Sequence, residues 1–324
     1  MNKLRQDMIN FRKFLFVAVM AVLGVTSCQK ESEYAEPTGR RESVKIAVSA
    51  AELVSTKAIG DGTKATELYY TAFVDGKPVR SLQNKMTLVN GRAVLELNLV
   101  KNVEYKFAFW AQAVQPNGVA SPFDVSKFYN DGTVSVNYEG LANDDNRDAF
   151  CASKTIMVTQ SLNEDVYLRR PFAQINFCAS DYEMVKEMGL HTDMQSEVRV
   201  YGLPDVLNVL DGTVSSSQDS SASVDALFAL SAIPTGEDEY ITVQGNQYGY
   251  ISMNYVLASD IGETVSVSAK IQSGNSLWET TRLDNVPVAR NHKTHILGTL
   301  FTVNAKLEII VVPDFETPDF TVNP

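Results

Sequence analysis

Apolar and polar residues alternate along most of the chain. The alternation is regular at residues 44–48 and 103–111, and it recurs at 265–271 and 307–311. Side chains on successive strand residues point to opposite faces, so a period of two is typical of half-buried β-strands. The pattern therefore predicts an all-β protein.

Turn signals separate the alternating segments. Four such pairs are Asp75-Gly76, Asn90-Gly91, Asp211-Gly212 and Gly274-Asn275. These pairs favour the tight turns that join antiparallel strands, and Asn90-Gly91 is the strongest hairpin signal among them. Many short strands separated by such turns predict an antiparallel β-sandwich.

One short helix is predicted near the middle of the chain. Residues 180–183 have the form of a capping box, with Ser180 as the N-cap and Glu183 reaching back to it. An apolar stripe follows at 184–188, and Gly189 is suited to end the helix.

The length of the chain suits two domains of ordinary size after an N-terminal leader. Residues 144–147 form a polar segment, and strong alternation begins again at 166–179. We therefore place the boundary near Asn163. This gives an N-terminal β-sandwich at 42–163 and a C-terminal β-sandwich, with a polar tail, at 164–324.

The N-terminal residues predict export and lipidation. Basic residues precede an apolar run at 14–25, and Thr26, Ser27 and Cys28 follow it. This is the order of a secretory signal peptide, and the run is shorter than the roughly 20 residues of a transmembrane helix. Val-Thr-Ser-Cys also resembles a lipobox. We therefore expect a lipoprotein signal peptide at 1–27, lipidation at Cys28 and a lipidated tether at 28–41.

The net charge and the cysteine content limit the binding partners and the disulfides that the protein can have. The net charge of −11 argues against a partner with a dense negative charge, such as nucleic acid. Beyond Cys28 the chain has two cysteines, Cys151 and Cys178. In an oxidising compartment they can form a disulfide, or they can remain as two buried thiols. The sequence leaves both alternatives open.

Residues that could carry chemistry are few. The sequence has no glycine-rich phosphate loop, nucleophile elbow or zinc-protease motif. His292 and His295 are three residues apart, which points them to opposite faces of a strand and away from a shared metal. Residues 144–148 (D-x-N-x-D) open like a calcium loop, but Ala149 replaces the required glycine, so a solvated acidic loop is favoured. We expect no enzyme activity, no metal and no cofactor.

Aromatic residues could form a carbohydrate-binding face. The candidates are Tyr248, Tyr250, Tyr255 and Trp278. Tyr248 and Tyr250 alternate with other residues as strand positions do, so packing in the core or at a sandwich edge is favoured.

Several segments together resemble the fimbrillin-like, type V pilin-related lipoproteins of the Bacteroidales. They are the lipobox ending at Cys28, the early strand at 69–74, the strand at 168–177 and the segment 288–301. The last of these (VARNHKTHILGTLF) resembles the R-N-x-x-T-x-I-x-G-x-L segment near the C-terminus of that family. The order and spacing of the four segments carry the resemblance.

The resemblance implies two tandem transthyretin-like β-sandwiches. It also implies an outer membrane lipoprotein, exposed at the cell surface, that acts in adhesion as a structural or accessory subunit of a type V pilus. A trypsin-like protease would cut near the N-terminus, with Arg40 and Arg41 as candidate sites. A strand from a neighbouring pilin subunit would then fill the groove of a lost strand. Expected partners are other pilin subunits, membrane lipid through Cys28, and host or glycan ligands.

Two other functions stay open. One is a monomeric surface lipoprotein that acts as an adhesin or binds glycans, and the other is an enzyme whose site is dispersed in the sequence. The strand at 41–50 bears on the choice, because a cut at Arg40 or Arg41 leaves it in the body, whereas a cut at Lys57 or Lys64 removes it. The C-terminal segment 305–312 offers a similar alternating strand.

Overall fold

The computed structural model of the protein describes residues 36–50, 64–116, 118–217, 223–302 and 306–313. The predicted signal peptide, Cys28, Lys57 and the predicted polar tail at 314–324 lie outside the described residues. The described strands are β1 (Arg41–Ser49), β2 (Ala65–Val74), β3 (Lys77–Pro78), β4 (Asn84–Thr87), β5 (Arg92–Val100), β6 (Glu104–Ala113), β7 (Phe123–Asp124), β8 (Thr133–Val136), β9 (Gly140–Leu141), β10 (Ala149–Met157), β11 (Leu162–Tyr167), β12 (Phe172–Ala179), β13 (Gln195–Leu203), β14 (Val206–Asn208), β15 (Val214–Ser215), β16 (Val224–Ala232), β17 (Tyr240–Val243), β18 (Asn246–Leu257), β19 (Glu263–Ser273), β20 (Ser276–Glu279), β21 (Leu283–Val288), β22 (His292–Gly298) and β23 (Leu307–Pro313). The described α-helices are α1 (Phe128–Asp131) and α2 (Tyr182–Glu187). Short 3-10 helices lie at Arg80–Leu82, Asp145–Arg147 and Gly236–Asp238. The all-β prediction is confirmed.

The first sandwich consists of two sheets. One has the strand order β11-β1-β5, and the other has the order β10-β6-β2-β3, with β4 also paired to β2. Their facing sides share one core, to which Ile46 contributes from β1, Leu68 from β2 and Phe107 from β6, each fully buried. Alternating strands thus bury one side against the opposite sheet, as the sequence pattern predicts.

The second sandwich is built in the same way. One sheet has the order β17-β18-β12-β22-β23, and the other has the order β20-β19-β13-β16-β9, with β21 also paired to β19. Its core includes Ile175 from β12, Val198 from β13 and Val267 from β19. Two tandem sandwiches, as predicted, therefore account for most of the described chain.

The segment between β6 and β10 leaves the first sandwich and packs with the second. Strands β7 and β8 join β14 and β15 in a small sheet of order β15-β14-β8-β7. Phe128 of α1 and Val134 of β8 are fully buried in the second core. The second core thus contains residues that precede the predicted boundary in sequence.

The boundary also differs from the prediction at 163/164. That position falls inside β11, which pairs in parallel with β1, and Val166 and Leu168 are buried in the first core. The first sandwich therefore includes residues up to Leu168. The polar loop at 144–147, which suggested the predicted boundary, belongs to the segment between β6 and β10 that packs with the second sandwich. It therefore does not mark the end of the first sandwich.

The turn signals divide into two groups. Asp75-Gly76 joins the hairpin β2–β3, and Gly274-Asn275 joins β19–β20, as predicted. Asn90 and Gly91 have the left-handed φ values of such a turn, 51° and 69°, but β4 pairs with β2 whereas β5 pairs with β1. Val89 and Arg92 exchange backbone hydrogen bonds at 2.9 and 3.1 Å, so the predicted two-residue turn forms. The strands beyond it separate, because the turn carries the chain from one sheet to the other.

The predicted helix forms without its capping box. Helix α2 is preceded by Asp181, which makes no side-chain cap, and Asp181 instead accepts hydrogen bonds from the backbone N–H groups of Leu300 and Phe301 at 2.9 and 3.0 Å. The predicted apolar stripe is only partly buried, since Met184 and Met188 are exposed. Within the described ranges, no helix has the length and apolar character needed to cross a membrane.

Candidate functional site

Strand β1 occupies the centre of a three-stranded sheet. It pairs antiparallel with β5 along its whole length, from Arg41 opposite Val100 to Ser49 opposite Arg92. On its other side it runs parallel to β11, from Val44 beside Leu162 onwards. Because both of its edges are hydrogen-bonded, the loss of β1 would leave unpaired backbone groups on two other strands.

One face of β1 lies in the first core. The exposed fractions of Val44, Ile46 and Val48 are 0%, 0% and 1%. The opposite face carries Lys45, whose ammonium lies 3.5 Å from the Glu96 carboxylate, and the half-buried Ala47. Without β1, the first sandwich would therefore present a groove that is as long as a strand and lined by apolar side chains.

The basic residues around β1 differ in accessibility. The Arg40 side chain is 79% exposed, and its Nε lies 3.2 Å from Glu42. Arg41 donates from Nη1 to the Asn98 carbonyl at 2.8 Å. Lys64 is exposed in the turn before β2, and the sequence has no arginine from 42 to 79. A cut after Arg40 thus leaves β1 covalently joined to the rest of the domain, whereas a cut after Lys64 leaves it held by non-covalent contacts alone.

Strand β23 forms an outer edge of the second sandwich. It pairs antiparallel with β22, from Leu307 opposite Gly298 to Pro313 opposite His292. Ile309 is exposed, and Ile310, Val311 and Val312 are half-buried. This strand therefore carries apolar side chains on both faces while being held along one edge.

The opposite edge of the same sheet is tied to α2. Lys186 donates to the Tyr240 hydroxyl at 2.7 Å and forms an ion pair with Glu239 at 3.0 Å. Tyr182 packs edge-on against Tyr240, with ring centroids 5.7 Å apart. Helix α2 thus covers β17, and among these two edges β23 is the more accessible for strand addition.

The two sandwiches meet through a shared wall. The face of β6 opposite the first core places Ala108 and Trp110 in the second core. Trp110 packs edge-on against Phe123 of β7 at 5.2 Å and against Phe172 of β12 at 6.5 Å. From Phe107 to Ala113, β6 is therefore buried on both sides, which joins the two sandwiches through aromatic packing.

A buried ion pair lies beside this wall. Arg170 donates from Nε to both carboxylate oxygens of Asp148 at 3.0 and 2.9 Å, and the exposed fractions of the two side chains are 3% and 1%. The Arg170 guanidinium also lies 4.7 Å above the Phe150 ring. Burial raises the pKa of the Asp148 carboxyl to about 7, and the Arg170 charge opposes that rise.

The segment 144–148 is therefore not simply a solvated acidic loop. Its first residue, Asp144, accepts the Asn146 N–H and begins a 3-10 helix, whereas Asp148 turns inward to Arg170. The charge of Asp148 is neutralised by a specific partner, which the sequence pattern alone does not indicate. Among the residues that the structure describes, no group of three or more His, Cys, Asp or Glu could hold a metal ion.

The remaining candidate residues are mostly buried. Cys151 and Cys178 are thiols rather than a disulfide, and burial raises the pKa of Cys151 to about 12. His292 and His295 lie on β22 as predicted. His295 is fully buried, and burial lowers its pKa to about 3, so it is neutral at physiological pH.

The aromatic candidates do not form an exposed platform. Tyr250 and Tyr255 are buried, and Trp278 is half-buried with its ring edge-on to Phe301 at 5.1 Å. Packing in the core, the favoured interpretation, is confirmed for Tyr250 and Tyr255.

A family of unknown function, DUF6562, matches residues 46–323 of the chain. No curated protein matches it. Among solved structures it is similar to a candidate cell adhesion protein from Bacteroides uniformis, with 10% identity and a TM-score of 0.48 over 86% of this chain and 99% of the other. It is also similar to two fimbrial proteins of Porphyromonas gingivalis, each 10% identical over 84% of this chain. For the tip protein Mfa3 with a C-terminal truncation, the TM-score is 0.47 over 99% of that protein. For the anchor protein Mfa2 it is 0.43 over 97%.

Proposed function

Because the chain belongs to DUF6562, a family of unknown function, its role must be inferred from its own geometry, and we propose that it is a lipid-anchored pilus subunit that assembles by strand exchange. The observation that carries this proposal is the position of β1. An N-terminal strand that lies at the centre of a sheet, with three side chains buried in the core, is both removable by one cut and required by the fold.

The groove left by β1 suits an extended segment from another subunit. Strands β5 and β11 would supply backbone hydrogen bonds on both sides, which gives affinity for any extended chain. The pockets vacated by Val44, Ile46 and Val48 would select a strand with apolar residues at every second position. This combination is the mode of recognition known as strand addition.

Strand β23 is the donor that we propose. Leu307, Ile309 and Val311 have the same spacing of two residues as the buried side chains of β1. Because β23 is bonded along one edge and only partly buried, its release would disturb the second sandwich far less than the loss of a central strand. A strand near the C-terminus of one copy would then complete the N-terminal domain of the next.

Protease specificity tests the assembly proposal. Limited cleavage of the purified protein by an arginine-specific protease should release a stable monomer that retains β1, since Arg40 is exposed in the segment directly before β1. Cleavage by a lysine-specific protease after Lys64 should instead yield oligomers that resist mild denaturation, visible as a ladder on a gel. N-terminal sequencing identifies the cut in each product.

Two variants make the assembly test specific. Lys57→Gln combined with Lys64→Gln should abolish the ladder while leaving the arginine cut intact. Deletion of 305–324 should abolish the ladder without preventing cleavage after Lys64. A stable monomer that has lost every residue through Ala50 would contradict strand exchange and favour a monomeric adhesin.

The proposed anchor is the lipidated Cys28, which lies outside the described residues. It is supported by the basic and apolar leader that precedes Val-Thr-Ser-Cys. Cys28→Ala should move the protein from the membrane fraction to the soluble fraction, or leave it as an uncleaved precursor. The anchor proposal fails if this variant fractionates with the outer membrane as the parent protein does.

A further inference from the structure

A polar groove lies on the second sandwich, and none of the residues that line it belongs to β1, β6 or β23. It has a volume of about 520 Å³ and is open to solvent along one side. Its lining includes Tyr201, Gly202, Asp225, Ser266, Arg282 and Asp284. Tyr201 comes from β13, Asp225 from β16, Ser266 from β19 and Asp284 from β21, so four strands converge on the groove.

The polar groups on one wall hold each other in place. The Arg282 guanidinium stacks 4.3 Å from the centre of the Tyr201 ring. Its Nε donates to Asp284 at 2.9 Å, and its Nη2 donates to the Ser266 hydroxyl at 3.0 Å. Ser266 in turn donates to Asp284 at 2.6 Å, and these hydrogen bonds from Ser266 and Arg282 lower the pKa of Asp284, which keeps the carboxylate charged.

The backbone is irregular where it borders the groove. The pairing of β13 with β16 shifts between Val200 and Leu203, and the pairing of β19 with β21 shifts between Val265 and Val267. Gly202 has φ +87° within the first shift, and Asn285 has φ +60° just after Asp284. Bulges redirect side chains and occur often beside binding sites. Two such bulges beside one groove indicate that the local backbone shapes a binding site as well as packing the sheet.

The chemistry of the lining selects the class of ligand. Asp225 and Asp284 outnumber the single cation Arg282, so an anionic ligand is disfavoured. Carboxylates that accept, a guanidinium that donates and neighbouring hydroxyl groups suit a ligand with many hydroxyl groups, since each can donate and accept. The Tyr201–Arg282 stack adds a flat surface against which a sugar ring can pack.

We propose that this groove binds a neutral saccharide. The inference goes beyond the pilus proposal, because it assigns to the second sandwich a ligand that strand exchange does not need. It also places recognition at residues other than Tyr248, Tyr250, Tyr255 and Trp278.

The test is to apply the full-length protein to an array of neutral and sialylated oligosaccharides and to measure the Kd of the best neutral glycan by calorimetry. Arg282→Ala and Asp284→Asn should each raise that Kd by about tenfold or more. The matched control is Arg199→Ala on β13, whose guanidinium lies 3.4 Å from Glu197 outside the groove lining and whose loss should leave the Kd unchanged. Thermal melting of each variant confirms that the second sandwich is folded.

Three results would overturn the proposal: retention of no neutral glycan, tighter binding of the sialylated glycans, or an equal loss of affinity in the Arg199→Ala control. Loss of binding on chelation of divalent metal would also overturn it, because the carboxylates would then act through a cation. If the protease-treated protein forms oligomers but binds no glycan, the saccharide proposal fails while the pilus proposal stands.

Discussion

A chain that starts at Ala51 is expected to lose the folded state of the first sandwich and to regain it when a synthetic peptide of residues 41–50 is added. The fully buried Val44, Ile46 and Val48 each contribute about 1.5–3 kcal/mol by burial. Their sum is a large part of the about 5–15 kcal/mol that stabilises a whole domain. The loss of two rows of backbone hydrogen bonds adds to the effect. Near-ultraviolet circular dichroism and thermal melting measure both the loss and the recovery.

Peptide variants make this result specific to the groove. A peptide with Ile46→Asp should fail to restore the fold, because it would bury a charge in the first core. A peptide with Ala47→Asp should succeed, since Ala47 lies on the opposite face of β1. A peptide of residues 305–324 should also bind if β23 is the donor. If the truncated chain melts cooperatively at the temperature of the parent without any peptide, β1 is dispensable and the exchange proposal fails.

Substitution of Asp148 by alanine is expected to lower the free energy of unfolding by about 3–5 kcal/mol. The change would leave Arg170 as a charge buried without its carboxylate partner, beside the aromatic wall that joins the domains. Denaturation in urea, followed by the fluorescence of the two tryptophans, of which Trp110 lies at that wall, measures the loss.

A double variant distinguishes two free energies: the loss of stability when one charge is left without the other, and the net stabilisation by the intact ion pair. Asp148→Leu with Arg170→Met removes both charges, and it should destabilise the protein much less than Asp148→Ala alone. Glu164→Ala provides a less buried control, because the side chains of its ion pair with Lys154 are 31% and 37% exposed and the pair should contribute less than about 1 kcal/mol. A loss from Asp148→Ala no larger than that from Glu164→Ala would show that Arg170 finds another partner.

The alternation of apolar residues predicted the strands well, because each sheet of a sandwich buries one face. Val44, Ile46 and Val48 are the clearest case. The same reasoning identified α2 but misjudged its start, since Asp181 is engaged by backbone groups from the far end of the domain. A contact between residues so distant in sequence leaves no local signal.

The failures of the sequence analysis also have physical causes. Asn90-Gly91 specifies a left-handed turn but not which strands will pair beyond it. The wall at Trp110 requires β6 to be buried on both faces, and its sequence EYKFAFWAQA gives only a partial sign of this, through apolar residues at consecutive positions. The groove at Tyr201 and Arg282 could not be predicted, because its residues come from four strands. In the sequence each of them looks like an ordinary polar residue on the exposed face of a strand.

The parallel pairing of β1 with β11 has a consequence for how the chain folds as it emerges. β1 is the first strand of its domain and β11 the last, and the excursion that packs with the second core lies between them. Until Tyr167 has left the ribosome, one edge of β1 has no partner from its own chain. Such long-range closure slows folding and prolongs the exposure of unpaired strands. The first sandwich therefore completes late, and β1 keeps one open edge until β11 has been synthesised.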